Sequence, residues 1–398
     1  MANMKLVLAG VMHSPNLGDG VIAACIDEAA RQYGRDVTLD WLDLAGRTSP
    51  VPSLTQQSRR TAILNILDAM PTFAQQILAQ PLVKAQVRRK LAPLLPGKFE
   101  NARGVIIGGG QLLSDVHLNF PVKIARIVAE AEARDLPIAL HGVGVAQDWT
   151  AKGTRLFGRL LHSPKLRFVS VRDEASRSHL TQHLINLNTP KLPEINVFPD
   201  PGLLAADLFS SGAPANSSSR PRVGLGITHP VAIRAHSSNA DNVAHLDWVK
   251  WYRNLAAELA KTYQVILFTN GSPEDETMLA EVTALPLPDN IERLARVADP
   301  IALINFIGGL DGIAAHRLHA LIVAYSLNVP SLGFRWDAKV DAFFKLTNSE
   351  KFLVDAPELP VNELSGLIAA AGQTTDRRAE LRAAARNGVH EAISALLS

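Results

Sequence analysis

Short apolar runs that end in Gly, Asn, Asp or His recur along the chain, and a helical pattern follows most of them. "KLVLAG" precedes "NLGDGVIAACIDEAARQYG", and "ARGVIIGGG" precedes "NFPVKIARIVAEAEARD". "LPIALHGVGV" comes next, then "RFVSVRDEASRSHLTQHLI". Beyond a break lie "RVGLGITHP", "YQVILFTNG" and "GIAAHRLHALIVAYSLNVPSLGF". Strands that are apolar throughout fit a parallel sheet covered on both faces. Their alternation with helices predicts an α/β, doubly wound fold. The break, "SSGAPANSSSRP" at residues 210–221, has no large apolar residue and reads as an exposed linker. It separates residues 1–209 from residues 222–398, each with its own alternation. Two Rossmann-like domains facing a cleft are the simplest architecture. The last segment, "TTDRRAELRAAARNGVHEAISALL", reads as a helix with Asp376 near its N-cap. It packs on the second domain or crosses back to the first.

Composition narrows the class. The chain has 398 residues, 47% hydrophobic and 20% charged, which is globular and long enough for two or three domains. A formal net charge of +2 supplies no broad field for nucleic acid. Cys25 is the single cysteine, so no intrachain disulfide can form and a reducing compartment is expected. The first apolar run is too short for a signal peptide and ends at Asn16, Gly18 and Asp19. No uninterrupted apolar run is long enough to span a bilayer. A soluble cytoplasmic protein is the expectation.

Chemistry in open α/β sheets gathers at the carboxyl ends of strands. In "HSPNLGDG", Asn16, Gly18 and Asp19 sit on the first turn, either as an Asx cap or as site residues. Gly108, Gly109 and Gly110 form a turn that lets backbone approach a ligand or a neighbouring loop, with Asp115 beyond it as a cap or a site carboxylate. That spacing is neither a dinucleotide fingerprint nor a phosphate loop with its lysine. His141 ends "LPIAL", Arg172 and Asp173 end "VSV", and Asp200 lies between two prolines. Each also has a plain structural reading. "THP" at residues 228–230 and "TNG" at residues 269–271 end two strands of the second half.

"GIAAHRLHALIVAYSLNVPSLGFRWDAKV" is the most informative stretch. "GIAAH" reads as a strand, the helix opens near Arg317, and "VPSLGF" is the next strand. Cations are disfavoured at a helix N-terminus. Arg317 and His319 at that position, with Lys339 after the next strand, point to an anionic ligand held with backbone N–H groups. Asp337 is a local partner that would account for Lys339 alone.

On "NLGDGVI", "GVIIGGGQLLSD", "VSVRDEAS", "DPGLL" and above all "RLHALIVAYSLNVPSLGFRWDAKVDAFF", the chain resembles the polysaccharide pyruvyl transferases, over most of its length. The resemblance implies two Rossmann-like domains of the GT-B-like kind. It implies transfer of the pyruvyl group of phosphoenolpyruvate onto two hydroxyls of a sugar as a cyclic ketal, in exopolysaccharide or cell-wall glycan synthesis. It maps the donor contacts onto Arg172, Arg317, His319 and Lys339. Arginine suits the phosphate and carboxylate as a bidentate donor, and lysine as a point charge. His319 is then general acid or phosphate partner, since histidine titrates near neutrality. Asp19 is the first candidate for the base, with Asp115 and Asp200 behind it. Asn16, Gly18, Gly109, Gly110 and His141 complete the candidate acceptor and cleft residues. The scheme needs no metal and no cofactor beyond the donor substrate, and no tight metal-ligand spacing occurs. The chain departs from the family at His316, where relatives tend to carry a small residue, and in an insertion-like region at about residues 47–102.

Within that region, residues 82–98 place Lys84, Arg88, Arg89, Lys90 and Lys98 among leucines and valines. The commoner reading is a solvated helix with its apolar side on the domain. The alternative is docking at the anionic inner face of a membrane, where a lipid-linked oligosaccharide acceptor would wait. Two other functions stay open: a nucleotide-sugar glycosyltransferase, with a carboxylate at Glu274–Glu276 for the ribose, and a non-enzymatic anion- or glycan-binding protein.

Overall fold

The apolar runs condense into two six-stranded sheets, every adjacent pair of strands parallel. This computed structural model describes residues 4–33, 36–49, 80–189, 193–210, 220–236, 246–356, 361–372 and 377–398. Most of the linker, most of the insertion-like region and Asp376 lie outside the described residues.

The first sheet contains β1 (Met4–Gly10), β2 (Val37–Asp43), β3 (Ala102–Gly108), β4 (Ile138–Val143), β5 (Leu166–Val171) and β6 (Asn196–Val197), in the order β2-β1-β3-β4-β5-β6. The second contains β7 (Arg222–Gly226), β8 (Gln264–Phe268), β9 (Ile291–Arg293), β10 (Gly312–Ala315), β11 (Ser331–Phe334) and β12 (Leu353–Val354), in the order β12-β11-β10-β7-β8-β9. β4 is buried along its whole length, as a central strand covered on both faces must be. The order reverses between β1 and β3 in one sheet and between β7 and β10 in the other. Ligands of open α/β sheets bind at such switch points, outside the carboxyl ends of the strands.

The helices that matter below are α1 (Leu17–Arg31), α2 (Ala151–Leu161), α3 (Glu174–Asn186), α4 (Trp248–Leu259), α5 (Pro273–Val282), α6 (Leu318–Ser326), α7 (Ala338–Leu346) and α8 (Arg378–Leu397). Aspartate opens three of them. Asp173 accepts from Ser176 N–H at 2.7 Å, Asp247 from Lys250 N–H at 3.0 Å and Asp337 from Lys339 N–H at 3.0 Å. A carboxylate there satisfies orphan N–H groups and complements the helix dipole.

By packing, the chain falls into two units: residues 1–14, 22–201 and 383–398 form the first, and residues 15–21 and 202–382 the second. Within the first, α8 lies against the end of α1, where Tyr33 Oη meets Ser394 Oγ at 2.6 Å and the His390 ring meets Ala29 O at 3.0 Å.

Residues 80–99 are helical, with Ala92 N–H reaching back to Val87 O in one wide turn. Val87, Leu91, Leu95 and Phe99 are buried in the core of the first unit. Arg88, Arg89 and Lys90 face solvent, and Leu82 is 49% exposed. The apolar side of this segment is spent on the domain, so a membrane attachment through it would rest on Leu82 and the basic side chains. No helix among the described residues is long and apolar enough to cross a membrane.

Candidate active site

The switch point of the second sheet collects the residues around Arg317. Arg317 follows β10 and occupies the N-cap of α6 in extended conformation. Its Nε donates to Asp275 Oδ2 at 2.8 Å and its Nη2 to Asp275 Oδ1 at 2.9 Å. Asp275, in the first turn of α5, is wholly buried and also accepts the His229 N–H at 2.9 Å. Burial works against the guanidinium charge, but the Asp275 carboxylate outweighs it and holds the Arg317 pKa above its ordinary value. This side-on fork uses Nε and Nη2 and leaves Nη1 outside the pair with Asp275.

Trp336, just past β11, donates its indole N–H to His316 O at 2.6 Å. Its ring lies 5.6 Å from the Arg317 guanidinium carbon and 5.0 Å from Lys339 Nζ. Lys339, in the first turn of α7, pairs with Asp337 at 2.8 Å.

Gly18 and the first residues of α1 belong to the same unit. Leu17 N–H donates to Asn270 O at 2.8 Å. Asn16 Oδ1 accepts the Gly18 N–H at 3.4 Å, so Asn16 shapes the turn, with Asp19 beside it in the first helical turn. A Cβ on Gly18 would fall 2.6 Å from the His319 Cβ and 2.7 Å from its Nδ1, so only glycine lets α1 and His319 meet. Asn16, Gly18, Asp19, Arg317, His319 and Lys339 therefore share one unit.

The remaining candidates belong to the first unit. Arg172 ends β5, with its Nε on Asp173 Oδ2 at 3.2 Å and its Nη2 at 3.5 Å from Gln111 Oε1. Its guanidinium crosses the end of β4, where a Cβ on Gly144 would meet it at 2.8 Å. Gly109 and Gly110 both have positive φ, and Gly110 O accepts the Gly144 N–H at 2.9 Å, so this turn is locked to the end of β4. Asp115 accepts the Thr150 N–H at 2.6 Å, at the start of α2, and makes no side-chain cap bond at the turn it opens itself. His141 is fully buried, with Nδ1 2.9 Å from Ser170 Oγ. Burial pushes its pKa down to about 4, partly opposed by the nearby Asp200 charge. Among the described residues, no group of three His, Cys, Asp or Glu side chains could hold a metal ion.

The charges stand differently from an unopposed cationic cluster. Arg172, Arg317 and Lys339 each carry a carboxylate partner, respectively Asp173, Asp275 and Asp337. The carboxylates at Glu274–Glu276, which a ribose-binding reading would use, are also engaged. Glu274 accepts from Ser272 Oγ at 2.6 Å, Glu276 accepts from Thr269 Oγ1, and Asp275 holds Arg317.

His316 is the residue whose surroundings the sequence hid most. It lies among Trp248, Trp251 and Phe334. The Tyr252 hydroxyl accepts the Thr228 N–H at 3.0 Å, donates to Thr228 O at 3.1 Å and meets His316 Nδ1 at 3.2 Å. Burial, and then the Arg317 charge, push the His316 pKa down to about 3. His316 Nε2, Thr228 Oγ1 and Asn270 Nδ2 are buried and hydrogen-bond to no described residue. Buried polar atoms without partners are uncommon, and these three follow the ends of β10, β7 and β8.

His141 and His316 together set a pH dependence. Unfolded, each takes up a proton near pH 6.5, but folded, each resists protonation until about 4 and about 3. Between those limits the unfolded chain binds more protons, so stability falls as pH falls, by up to about 1.4 kcal/mol per pH unit for each histidine. Urea unfolding at pH 7, 6 and 5 should show this loss, and His316→Gln should remove one histidine's share of the slope. An unchanged slope in the variant would show that His316 titrates normally in the folded chain.

Two doubly wound parallel sheets, the second with an arginine fork at its switch point, define the class as a two-domain α/β protein with a polar site at strand ends. Solved structures share that GT-B-like fold. The chain superposes on the UDP-GlcNAc 2-epimerase of Methanocaldococcus jannaschii with a TM-score of 0.51 at 11% identity, covering 94% of this chain and 93% of that one. It superposes on the MnaA–UDP structure from S. aureus with a TM-score of 0.50 at 11% identity, covering 94% and 92%. No curated protein matches in sequence. The family model for polysaccharide pyruvyl transferase matches residues 16–338, and the chain belongs to that family.

Proposed function

We propose that the chain transfers the pyruvyl group of phosphoenolpyruvate to two hydroxyls of a sugar in a cell-envelope glycan, forming a cyclic ketal. The observation that carries this reading is the Arg317 fork. A buried carboxylate fixes the guanidinium through Nε and Nη2, with Lys339 over the same Trp336 ring, in a chain of the pyruvyl transferase family. Because the three cations are paired, donor binding relies on placed hydrogen-bond donors rather than on net positive charge. From the first unit, Arg172 is kept as a donor ligand on its motif "VSVRDEAS" alone.

In this reading the donor methylene gains one proton and becomes a methyl group, while the adjacent carbon turns electrophilic. One sugar hydroxyl adds there, and the carbon–oxygen bond to phosphate breaks. The second hydroxyl closes the ketal. Of the two hydroxyl protons released, one replaces that given to the methylene and the other leaves with phosphate. His319 supplies or relays the proton, and Asp19 accepts one from the attacking hydroxyl.

Phosphate release from phosphoenolpyruvate, dependent on an added sugar or lipid-linked oligosaccharide acceptor, tests the proposal. Arg317→Lys keeps the charge but loses the fork, so the donor KM should rise at least about tenfold. A donor KM unchanged in this variant would remove Arg317 from the donor site. Stabilisation by a nucleotide sugar and not by phosphoenolpyruvate would favour the glycosyltransferase reading.

A further inference from the structure

Trp336 is the point where the two second-unit cations meet. Its indole N–H is fixed on His316 O at 2.6 Å, which ties the ring to the end of β10. Arg317 follows β10 and Lys339 follows β11, yet both cations lie over this ring, at 5.6 Å and 5.0 Å from its centroid. Each cation is also held by its own carboxylate, at 2.8 Å in both cases. A carboxylate fixes where a cation sits. A ring shared between two cations fixes the spacing between them, because the ring face attracts both and its own plane is held by the His316 bond.

We infer that Trp336 is a positioning residue for the donor: it holds Arg317 and Lys339 at a spacing that favours a small molecule with two separate anionic groups over one with a single such group. This rests on the donor reading above and adds to it a selectivity that neither cation supplies alone. A lone phosphate needs only one of the two cations. A donor carrying both a phosphate and a carboxylate needs them at a set distance. The ring is almost wholly buried, so a smaller side chain in its place would release both cations together.

The test compares the full-length wild type with Trp336→Phe and Trp336→Leu by calorimetric titration with phosphoenolpyruvate and, separately, with inorganic phosphate. Trp336→Leu removes the ring and the N–H. It should weaken phosphoenolpyruvate at least about tenfold and phosphate much less, so that the preference between the two ligands shrinks. Trp336→Phe keeps a ring face and should retain most of the preference. With an acceptor present, Trp336→Leu should raise the donor KM more than it lowers kcat. General loosening of the fold would weaken both ligands alike, so equal weakening overturns the inference, as does an unchanged affinity for phosphoenolpyruvate. If Trp336→Leu does not fold, Trp336→Phe decides: it keeps a ring face but loses the N–H bond to His316 O, so its preference should fall modestly below that of wild type, and a wild-type ratio overturns the inference. A wild type that fails to bind phosphoenolpyruvate sinks the donor reading and this inference together. A wild type that binds it beside an unaffected Trp336→Leu sinks this inference alone.

Discussion

Asp275→Ala is expected to destabilise the folded chain by about 3–5 kcal/mol, the range for removing one partner of a buried ion pair. Asp275 is wholly buried and accepts from Arg317 Nε, Arg317 Nη2 and the His229 N–H. Its removal leaves a mostly buried guanidinium and a backbone donor without partners. Arg317 cannot shed its proton to escape, because its pKa is far above any working pH. Asp275→Asn should cost less than alanine, since one amide oxygen can still accept while the amide nitrogen confronts a donor. The measurement is the denaturant midpoint of the full chain. An alanine variant within about 0.5 kcal/mol of wild type, the scatter of ordinary surface substitutions, would mean that water reaches the pair freely. The same variant bears on function, because Asp275 sets the direction of the Arg317 Nη1 edge. In folded Asp275→Asn, phosphoenolpyruvate should bind more weakly even where stability is largely kept.

How far the sequence carried is clearest in the strands. The runs "KLVLAG", "GVIIGG", "LPIAL", "RFVSV", "RVGLG", "YQVILF", "GIAAH" and "VPSLGF" became β1, β3, β4, β5, β7, β8, β10 and β11. The strands that no apolar run announced are β2, β6, β9 and β12, and these are the four sheet edges. An edge strand has one neighbour and less burial, so it needs no continuous apolar run. β2 reads "VTLDWLD" with its centre only partly buried, and β6 and β12 have two residues each.

In the site, local relations were legible and distant ones were not. Asp337 beside Lys339 and Asp173 beside Arg172 are two and one residues away, and both are ion-paired. The Arg317–Asp275 pair joins strand ends of β10 and β8 that the chain reaches 42 residues apart. No spacing rule announces it, and the acidic run at Glu274–Glu276 fits a ribose site equally well on sequence alone. Trp336 in an apolar stretch reads as core, and only its position between two cations gives it another use. His316 stood out as a departure from the family. Its bond to Tyr252 joins α4 to the residue after β10 across 64 positions of sequence, which composition does not encode.

Gly18→Ala is expected to lower kcat about 100-fold while leaving the unfolding midpoint near that of wild type, within the range a displaced general acid–base group commands. Two stability terms oppose each other here. Alanine gains up to about 1 kcal/mol over glycine in a helix, and overpacking costs about 1–3 kcal/mol. The steric conflict falls at the His319 Cβ, 2.6 Å away, as well as at the ring. A Cβ cannot swing aside as a side-chain tip can, so the imidazole or the start of α1 must move. Asp19 is the next residue, and a loss in Gly18→Ala by itself would not tell which of the two was displaced. A double-mutant cycle separates them. If alanine at position 18 acts by moving the imidazole, His319→Ala combined with Gly18→Ala should be no slower than His319→Ala alone. If it acts by turning Asp19 away from the attacking hydroxyl, the two losses should multiply. Multiplied losses, with His319→Asn behaving like His319→Ala, would keep Asp19 as the proton acceptor and remove the α1–His319 contact from the account of catalysis.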